Sequence, residues 1–285
     1  DVCSSDLIKE NERISASPKK DAITMAINHA QFEWIMTTDA DCMLPAEILS
    51  CYDQHIIHDE PFMIVGPVGL EKGEGLSYYF QLYEHLALQT FTIGGFGLNK
   101  PFLCNGANLA YMKDLFLELD GYKGNDHIST GDDIFLFEKY HNKYPEKVHY
   151  IRSNKAIVLT SPQNNWKSLI EQRVRWASKV SLQKNLISKW IGSCIFITNL
   201  WFILGFIYCL LNPDQIINYL IVLFYKSMVD LFLISSSAQF LSARINLVAF
   251  IINTLFYPYV SVWIAIRSLI GSYSWKDRQY NKPII

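Results

Sequence analysis

The 285-residue sequence lacks a CxxC pair, an excess of basic residues, and any repeated or low-complexity segment. Its six cysteines lie at irregular spacing, which predicts reduced, non-ligating thiols in a cytosol-facing protein rather than a disulfide framework. The formal net charge of −2 excludes nucleic-acid binding through a general basic surface, and we expect no nucleic-acid partner. Long apolar runs are absent from the first two thirds of the chain.

Apolar residues are concentrated instead in the C-terminal third. Three segments there are each long enough to cross a membrane: 190–211, 216–237 and 245–270. The second contains Lys226 and Asp230, whose spacing of four residues predicts an ion pair on one helix face. We predict an integral membrane protein with two to three transmembrane helices. An interfacial or re-entrant path for one segment is the alternative, because the positive-inside tendency disfavours a basic tail outside.

The chain does not begin with Met, and residues 1–7 resemble the in-frame translation of a sequencing-adapter oligonucleotide. We therefore predict that residues 1–7 are an artefact and that the chain is a fragment, with its natural N-terminal part missing before residue 8. The remainder is predicted to form four regions: a catalytic domain at 8–164, an amphipathic interfacial helix at 165–189, a membrane region at 190–271 and a basic tail at 272–285.

Helical and strand-like patterns alternate before residue 164, which predicts an α/β fold with a mainly parallel sheet. A strand over 33–38 ends directly at Asp39, and ligands gather at the carboxyl ends of strands in open α/β sheets. A helix is predicted over 75–92, followed by a flexible glycine turn at 94–97. The helix from 165 to about 185 has basic residues, Arg173 among them, that predict contact with membrane lipid headgroups.

Three clusters of polar residues precede the apolar third. In the first, Asp39 and Asp41 project to the same side of an extended chain. Mg²⁺ and Mn²⁺ take one or two protein carboxylates together with phosphate oxygens of a substrate. A metal ion held there would neutralise a diphosphate leaving group. The alternative is a pair of solvated loop carboxylates.

The other two clusters lie on predicted helices. Asp132 and Asp133 begin a helix, where one carboxylate is placed to act as a general base and the alternative is ordinary N-terminal helix charge. Within one turn of a later helix, Arg175 offers a guanidinium for diphosphate oxygens, beside Gln172 and the indole of Trp176. An interfacial helix with snorkelling side chains is the alternative.

The order TTDADC, CNGANLAY, GDD and QRVRW, followed by apolar spans and the SWKDR segment, resembles membrane-bound glycosyltransferase family 2. The resemblance extends from about residue 8 to the end of the chain. It implies a GT-A nucleotide-sugar-binding domain, incomplete at its N-terminus. It also implies metal-dependent, inverting transfer of a sugar from a UDP- or GDP-linked donor to a hydroxyl of a lipid-linked or membrane-near glycan. Such an enzyme would lie in the bacterial inner membrane with its catalytic domain in the cytoplasm.

The resemblance implies roles for individual residues. Asp39 would contact the nucleotide ribose or the metal, and Asp41 would ligate the metal. Lys19 resembles a donor-binding lysine of the family, although Pro18 stands where the family usually has glycine. Three further residues match the segment flanking the acceptor pocket: Asn105, Gly106 and Asn108.

Asp133 matches the second acid of the family's acidic pair, because Leu136 follows at the usual offset, and it is the preferred general base. Asp132 replaces the family's Glu and is the alternative base. The remaining matches form the QxxRW motif, which in the family closes over the diphosphate and the acceptor end. Gln172 and Arg175 would bind the donor, and Trp176 would contact the acceptor.

Three other interpretations stay open. A catalytically silent, membrane-anchored binding protein would keep the same fold, and a processive polysaccharide synthase would also carry QxxRW. A transporter would explain Lys226 and Asp230, although two or three spans are few for a transport path. Because the family's first strand holds the nucleobase, we expect the chain as given to bind donor poorly and to show little activity.

Overall fold

The computed structural model describes residues 15, 17–125, 131–180 and 185–270, together with the backbone of 273–275 and 278–280. The expected artefact at 1–7 lies outside the described residues, as do the side chains of the tail. The described part is a mixed α/β structure followed by three long apolar helices. It divides into two compact units, the first containing the described residues up to Val68 and Cys104–Val158. The second contains Gly69–Leu103 and the described residues from Leu159 onward.

The strands and helices follow one another closely along the chain. The strands are β1 (Trp34–Thr37), β2 (Cys42–Met43), β3 (Met63–Val65), β4 (Val68–Leu70), β5 (Leu109–Met112), β6 (Val148–Tyr150), β7 (Val158–Thr160), β8 (Tyr273–Trp275) and β9 (Arg278–Tyr280). The helices are α1 (Pro18–His29), α2 (Ile48–Asp59), α3 (Gly75–Gly97), α4 (Lys113–Glu118), α5 (Asp132–Lys143), α6 (Trp166–Val180), α7 (Leu186–Leu211), α8 (Ile216–Phe240) and α9 (Leu247–Ile270).

A four-stranded sheet of order β1-β5-β3-β6 forms the centre of the first unit. Strand β5 runs antiparallel to both of its neighbours, and only β3 and β6 pair in parallel. The prediction of a mainly parallel sheet is therefore wrong. The sheet is mixed because β5 lies between β1 and β3 and runs opposite to both, so its pairings with them are antiparallel. A three-stranded sheet has the order β2-β7-β4.

The core of the first unit packs α2 against the four-stranded sheet. Ile48 and Tyr52 on α2 contact Ile64 of β3 and Ala110 of β5, and all four side chains are at most 4% exposed. Strand β3 is buried along its whole length, which explains its continuous apolar sequence. Each large apolar side chain buried in this way stabilises the fold by roughly 1.5–3 kcal/mol.

In the second unit, α3 packs against α8 and α9, while α6 and α7 each contact α9. The glycine turn predicted at 94–97 is wrong, because α3 continues through Gly97. A Cβ on Gly95 would lie 3.2 Å from the Lys100 carbonyl oxygen and 3.3 Å from the Phe102 ring. Gly95 therefore allows the chain that follows α3 to pack closely against the helix, and this contact offsets the weak helix propensity of glycine at that position.

The three apolar segments form helices long and apolar enough to cross a membrane: Leu186–Leu211, Pro213–Phe240 and Leu247–Ile270. The predicted pairing of Lys226 with Asp230 is confirmed, with Nζ and Oδ2 2.5 Å apart. Helix α9 continues through Pro258 without interruption. These features indicate a membrane protein.

Candidate functional site

The N-terminus of α1 positions Lys19. The Ser17 side chain accepts a hydrogen bond from the Lys20 amide, and Pro18 occupies the first helical turn. Proline suits that place because its fixed φ matches the helix and its missing N–H would have no partner there. Pro18 therefore gives a stable helix start that presents Lys19.

Lys19 joins two of the predicted acidic clusters. Its Nζ lies 3.0 Å from Asp39 Oδ1 and 3.0 Å from Asp132 Oδ2. Burial lowers the pKa of Lys19, but the neighbouring carboxylates of Asp132 and Asp39 outweigh this and raise the pKa above its ordinary value. The lysine therefore remains protonated, and three elements of the first unit converge on its charge.

The Asp39–Asp41 pair follows β1, as the sequence predicts. Donor atoms of Asp39, Asp41 and Cys42 all lie within 4.8 Å of one another, and the Cys42 amide donates to the Asp39 carbonyl at 3.1 Å. Two carboxylates in a tight turn fit the oxygen ligands that Mg²⁺ and Mn²⁺ prefer, whereas a thiol does not. Asp39 and Asp41 could therefore hold such an ion.

The two acids at the start of α5 have different partners. Asp132 is paired with Lys19 and its side chain is only 15% exposed. Asp133 instead accepts hydrogen bonds from the backbone amides of Gly106 (3.2 Å) and Ile134 (2.8 Å). Both also place negative charge at a helix N-terminus, where the helix dipole favours it. Because their partners differ, their chemical roles can be separated by substitution.

The loop before β5 links the end of β1 with the start of α5. Thr37, the last residue of β1, donates its hydroxyl to the Gly106 carbonyl at 3.3 Å. A Cβ on Gly106 would lie 3.1 Å from the Asp133 Cβ, so glycine permits this close approach. Asn105 accepts a hydrogen bond from the Ala107 amide at 3.0 Å, which fixes the loop from within.

Asn108 lies beneath this loop and is fully buried. Its side chain accepts from Tyr52 Oη at 2.7 Å and donates to the carbonyls of Pro67 (2.7 Å) and Ala156 (2.8 Å). A direct contact with an acceptor, which the resemblance implies for Asn108, has no exposed surface through which to occur. Asn108 instead positions the loop from the core side.

The QxxRW residues lie on α6, in the second unit. The residue between them, Arg173, is only 6% exposed and pairs with Glu84 of α3 at 2.5 Å. Its guanidinium also donates to the Gln172 side chain and lies 4.3 Å from the centre of the Trp176 ring. The prediction that Arg173 faces membrane headgroups is therefore wrong, because Glu84 neutralises it within the protein.

Arg173 and Glu84 are the interacting pair that sequence reasoning missed. A signal was present, because Glu84 is the only charged residue in the sequence of α3. An isolated acid on a largely apolar helix indicates a basic partner, since a buried unpaired charge is costly. Gln172 and Trp176 surround that basic partner, and Arg175, two residues further along the same helix, is half-buried.

A scan of the chain against protein-family models finds no match, and a search of curated proteins finds none either. Only the ordered motifs carry the resemblance to glycosyltransferase family 2, and the activity that they imply is a proposal.

Proposed function

We propose that this chain is a membrane-anchored glycosyltransferase of the GT-A fold, related to family 2. It transfers a sugar with inversion from a UDP- or GDP-linked donor to a hydroxyl of a lipid-linked or membrane-near glycan. The observation that carries the proposal is the position of Lys19, 3.0 Å from both Asp39 and Asp132. Two carboxylates from separate parts of the chain meet one partly buried ammonium here, which favours a built site over solvated loop charges.

In this proposal, Asp39 and Asp41 hold the Mg²⁺ or Mn²⁺ ion that binds the donor diphosphate. When bound, the ion neutralises negative charge that develops on the leaving diphosphate. Lys19 orients Asp39 and adds a second positive charge close to the phosphates. The positive charges of the metal ion and Lys19 would then lie between the negative carboxylates and the negative donor phosphates.

Asp133 is the proposed general base. Hydrogen bonds from two backbone amides fix its carboxylate, whereas Asp132 already engages Lys19. The acceptor oxygen attacks the anomeric carbon as the bond from that carbon to the diphosphate oxygen breaks. The hydroxyl proton passes to Asp133, and the electron pair of the broken bond leaves with the diphosphate.

Helix α6 is proposed to supply the remaining contacts, with Gln172 and Arg175 on the diphosphate and Trp176 on the acceptor. The Arg173–Glu84 pair fixes α6 against α3, which gives these side chains a rigid support. The apolar helices α7, α8 and α9 would anchor the enzyme in a membrane. We place the catalytic domain on the cytoplasmic side of a bacterial inner membrane, where nucleotide sugars are made.

The test uses the product of the complete coding sequence, in detergent or lipid nanodiscs, with a panel of UDP- and GDP-sugars and with and without Mn²⁺. We expect metal-dependent nucleotide binding and donor turnover, and a loss of turnover of roughly 10²–10⁴-fold in Asp133→Asn with binding retained. The matched variant Asp132→Asn should weaken donor binding more than it slows turnover.

Metal-dependent binding with no turnover of any donor would favour a silent binding protein of the same fold. Long polymeric products would favour a processive synthase. Absence of nucleotide binding at all metal concentrations would refute the proposal.

A further inference from the structure

A second group of metal-ligating side chains lies in the first unit and is not used by the proposed reaction. His55 and Asp59 are one turn apart on α2, and His149 belongs to β6. One donor atom from each residue lies within 4.8 Å of the other two. The rings of His55 and His149 meet edge to face, with centroids 5.4 Å apart.

We propose that His55, Asp59 and His149 form a site for a divalent transition metal ion of the Zn²⁺ class. The two histidines are ligands, Asp59 is either the third ligand or the partner that orients His55, and water completes the coordination. Imidazole nitrogens with one carboxylate suit Zn²⁺, whereas Mg²⁺ and Ca²⁺ prefer oxygen ligands throughout. Two ligands of one zinc ion, each about 2.0–2.2 Å from it, lie about 3–3.5 Å apart. His55 Nδ1 and Asp59 Oδ2 are already 2.9 Å apart, so little movement is needed.

The hydrogen bonding of His55 points to a further partner. Among the residues that the structure describes, its Nε2 is buried and has no hydrogen-bond partner. A buried nitrogen without a partner costs free energy that a bound cation would recover. If Nε2 binds the ion, Asp59 holds the opposite ring nitrogen, which is the usual outer-shell arrangement for a histidine ligand. If Nδ1 binds it, Asp59 is a direct ligand, and either way the carboxylate is required.

The position of the cluster indicates that a bound metal ion would stabilise the fold of the first unit. Strand β6 is an edge strand of the four-stranded sheet, and α2 packs on that sheet. A shared ion would join the C-terminal turn of α2 to this edge. The ring of His149 is also held in place, because its Nε2 lies 3.0 Å from the Glu146 carbonyl oxygen. His58 lies at the rim, 85% exposed, with its Nδ1 2.7 Å from Asp59 Oδ1.

The inference does not depend on the glycosyltransferase proposal, because the Asp39–Asp41 pair offers hard oxygen ligands and this cluster offers imidazole. The test is a Co²⁺ titration of the metal-stripped full chain in detergent, followed by visible absorption and then by displacement with Zn²⁺ or Mg²⁺. We expect one saturable Co²⁺ site with the intense bands of low coordination number, displaced by Zn²⁺ and unaffected by Mg²⁺. Zn²⁺ should also raise the melting temperature.

His149→Gln and Asp59→Asn should each weaken Co²⁺ binding by about tenfold or more, since loss of an outer-shell partner alone already costs that much. His29→Gln, on the exposed face of α1, is the matched control and should change nothing. Asp41→Asn separates the two sites and should leave Co²⁺ binding intact. If His149→Gln fails to fold, Asp59→Asn decides the question, because its side chain is 35% exposed. Binding that survives both substitutions, or that disappears in Asp41→Asn, would overturn the proposal, as would the absence of any saturable Co²⁺ site.

Discussion

Lys19 Nζ lies 3.0 Å from Asp132 Oδ2, so the start of α1 and the start of α5 meet through one ion pair. The same ammonium lies 3.0 Å from Asp39. If this lysine supports the donor phosphates, Lys19→Met should weaken nucleotide-diphosphate binding by roughly tenfold to a hundredfold. That range corresponds to the loss of one charge-assisted hydrogen bond of about 1.5–3 kcal/mol.

Stability should fall by about 1–3 kcal/mol in Lys19→Met, because the Asp132 side chain, 15% exposed, loses its lysine partner, although the lysine itself is 39% exposed and solvent screens part of the interaction. Lys123→Met removes a 76%-exposed ammonium and is the control. Nucleotide titration and thermal denaturation report the two quantities. Equal nucleotide affinity in the two variants would contradict a donor-binding role for Lys19.

The Asp41 carboxylate is expected to determine affinity for Mn²⁺. Asp41→Asn should weaken Mn²⁺ binding by about tenfold or more, measured by electron paramagnetic resonance of free Mn²⁺. Cys42→Ser should have almost no effect, although its sulfur lies in the same group of donor atoms, because a thiol is a poor ligand for a hard ion. A larger loss in Cys42→Ser than in Asp41→Asn would indicate a softer metal at this position.

The Arg173–Glu84 pair is expected to stabilise the second unit. Arg173→Met leaves the Glu84 carboxylate, whose side chain is 15% exposed, without its partner, and should cost about 3–5 kcal/mol. The double variant Glu84→Gln/Arg173→Met should recover part of that loss, because no charge is left unpaired. Lys167→Met, on the exposed side of α6, is the control in thermal denaturation. Additive losses in the double variant would show that the two side chains act independently.

Asn108 is expected to matter for folding rather than for acceptor contact. Asn108→Ala leaves the Pro67 and Ala156 carbonyls without their donor and should destabilise the fold by about 2–5 kcal/mol. Tyr52→Phe removes only the third hydrogen bond and should cost about 1 kcal/mol. Thermal denaturation gives both values. A fully stable Asn108→Ala protein with impaired acceptor use would instead support direct binding.

Acid should weaken the protein partly through His141. Burial lowers the pKa of His141 below its ordinary value, and its ring stacks on Phe137 with centroids 5.9 Å apart. The unfolded chain therefore binds more protons than the folded chain as pH falls from about 6.5 toward the folded pKa. The stability that neutral His141 contributes is present above about pH 6.5 and is lost below it.

His141→Gln should flatten the dependence of the melting temperature on pH in this window. A residual slope is expected from His55, whose pKa is lowered chiefly by burial. A variant whose melting temperature falls as steeply as that of the wild type would exclude His141 as a contributor.

Local pattern was sufficient for several elements. The strand before Asp39, the helix that begins at Asp132 and the three apolar helices follow from residue periodicity and length. The direction of β5 could not be predicted in this way, because the pattern of apolar residues in a strand does not show whether it runs parallel or antiparallel to its neighbours. The close contact of Gly95 in α3 with Phe102 is likewise a tertiary feature that local pattern does not contain.

The site shows the same division between local and long-range information. The sequence identified Asp39, Asp41, Asp132 and Asp133 as a set of acids. It did not show that Lys19 contacts the first and third of them, or that Asp133 turns toward the Gly106 amide. Arg173 was misplaced because a basic residue on an amphipathic helix has the same local pattern whether it faces lipid or an acid on another helix.

The two contacts of Lys19 couple the affinity for metal to the affinity for the donor. A metal ion that takes the Asp39 oxygen competes with the ammonium for that atom and leaves Lys19 to Asp132 alone. A phosphate that attracts Lys19 away from Asp39 would, in turn, free a metal ligand. Because such coupling between two ligands is reciprocal, metal and nucleotide diphosphate should each raise the affinity for the other, with the lysine serving as a counter-ion in the absence of both.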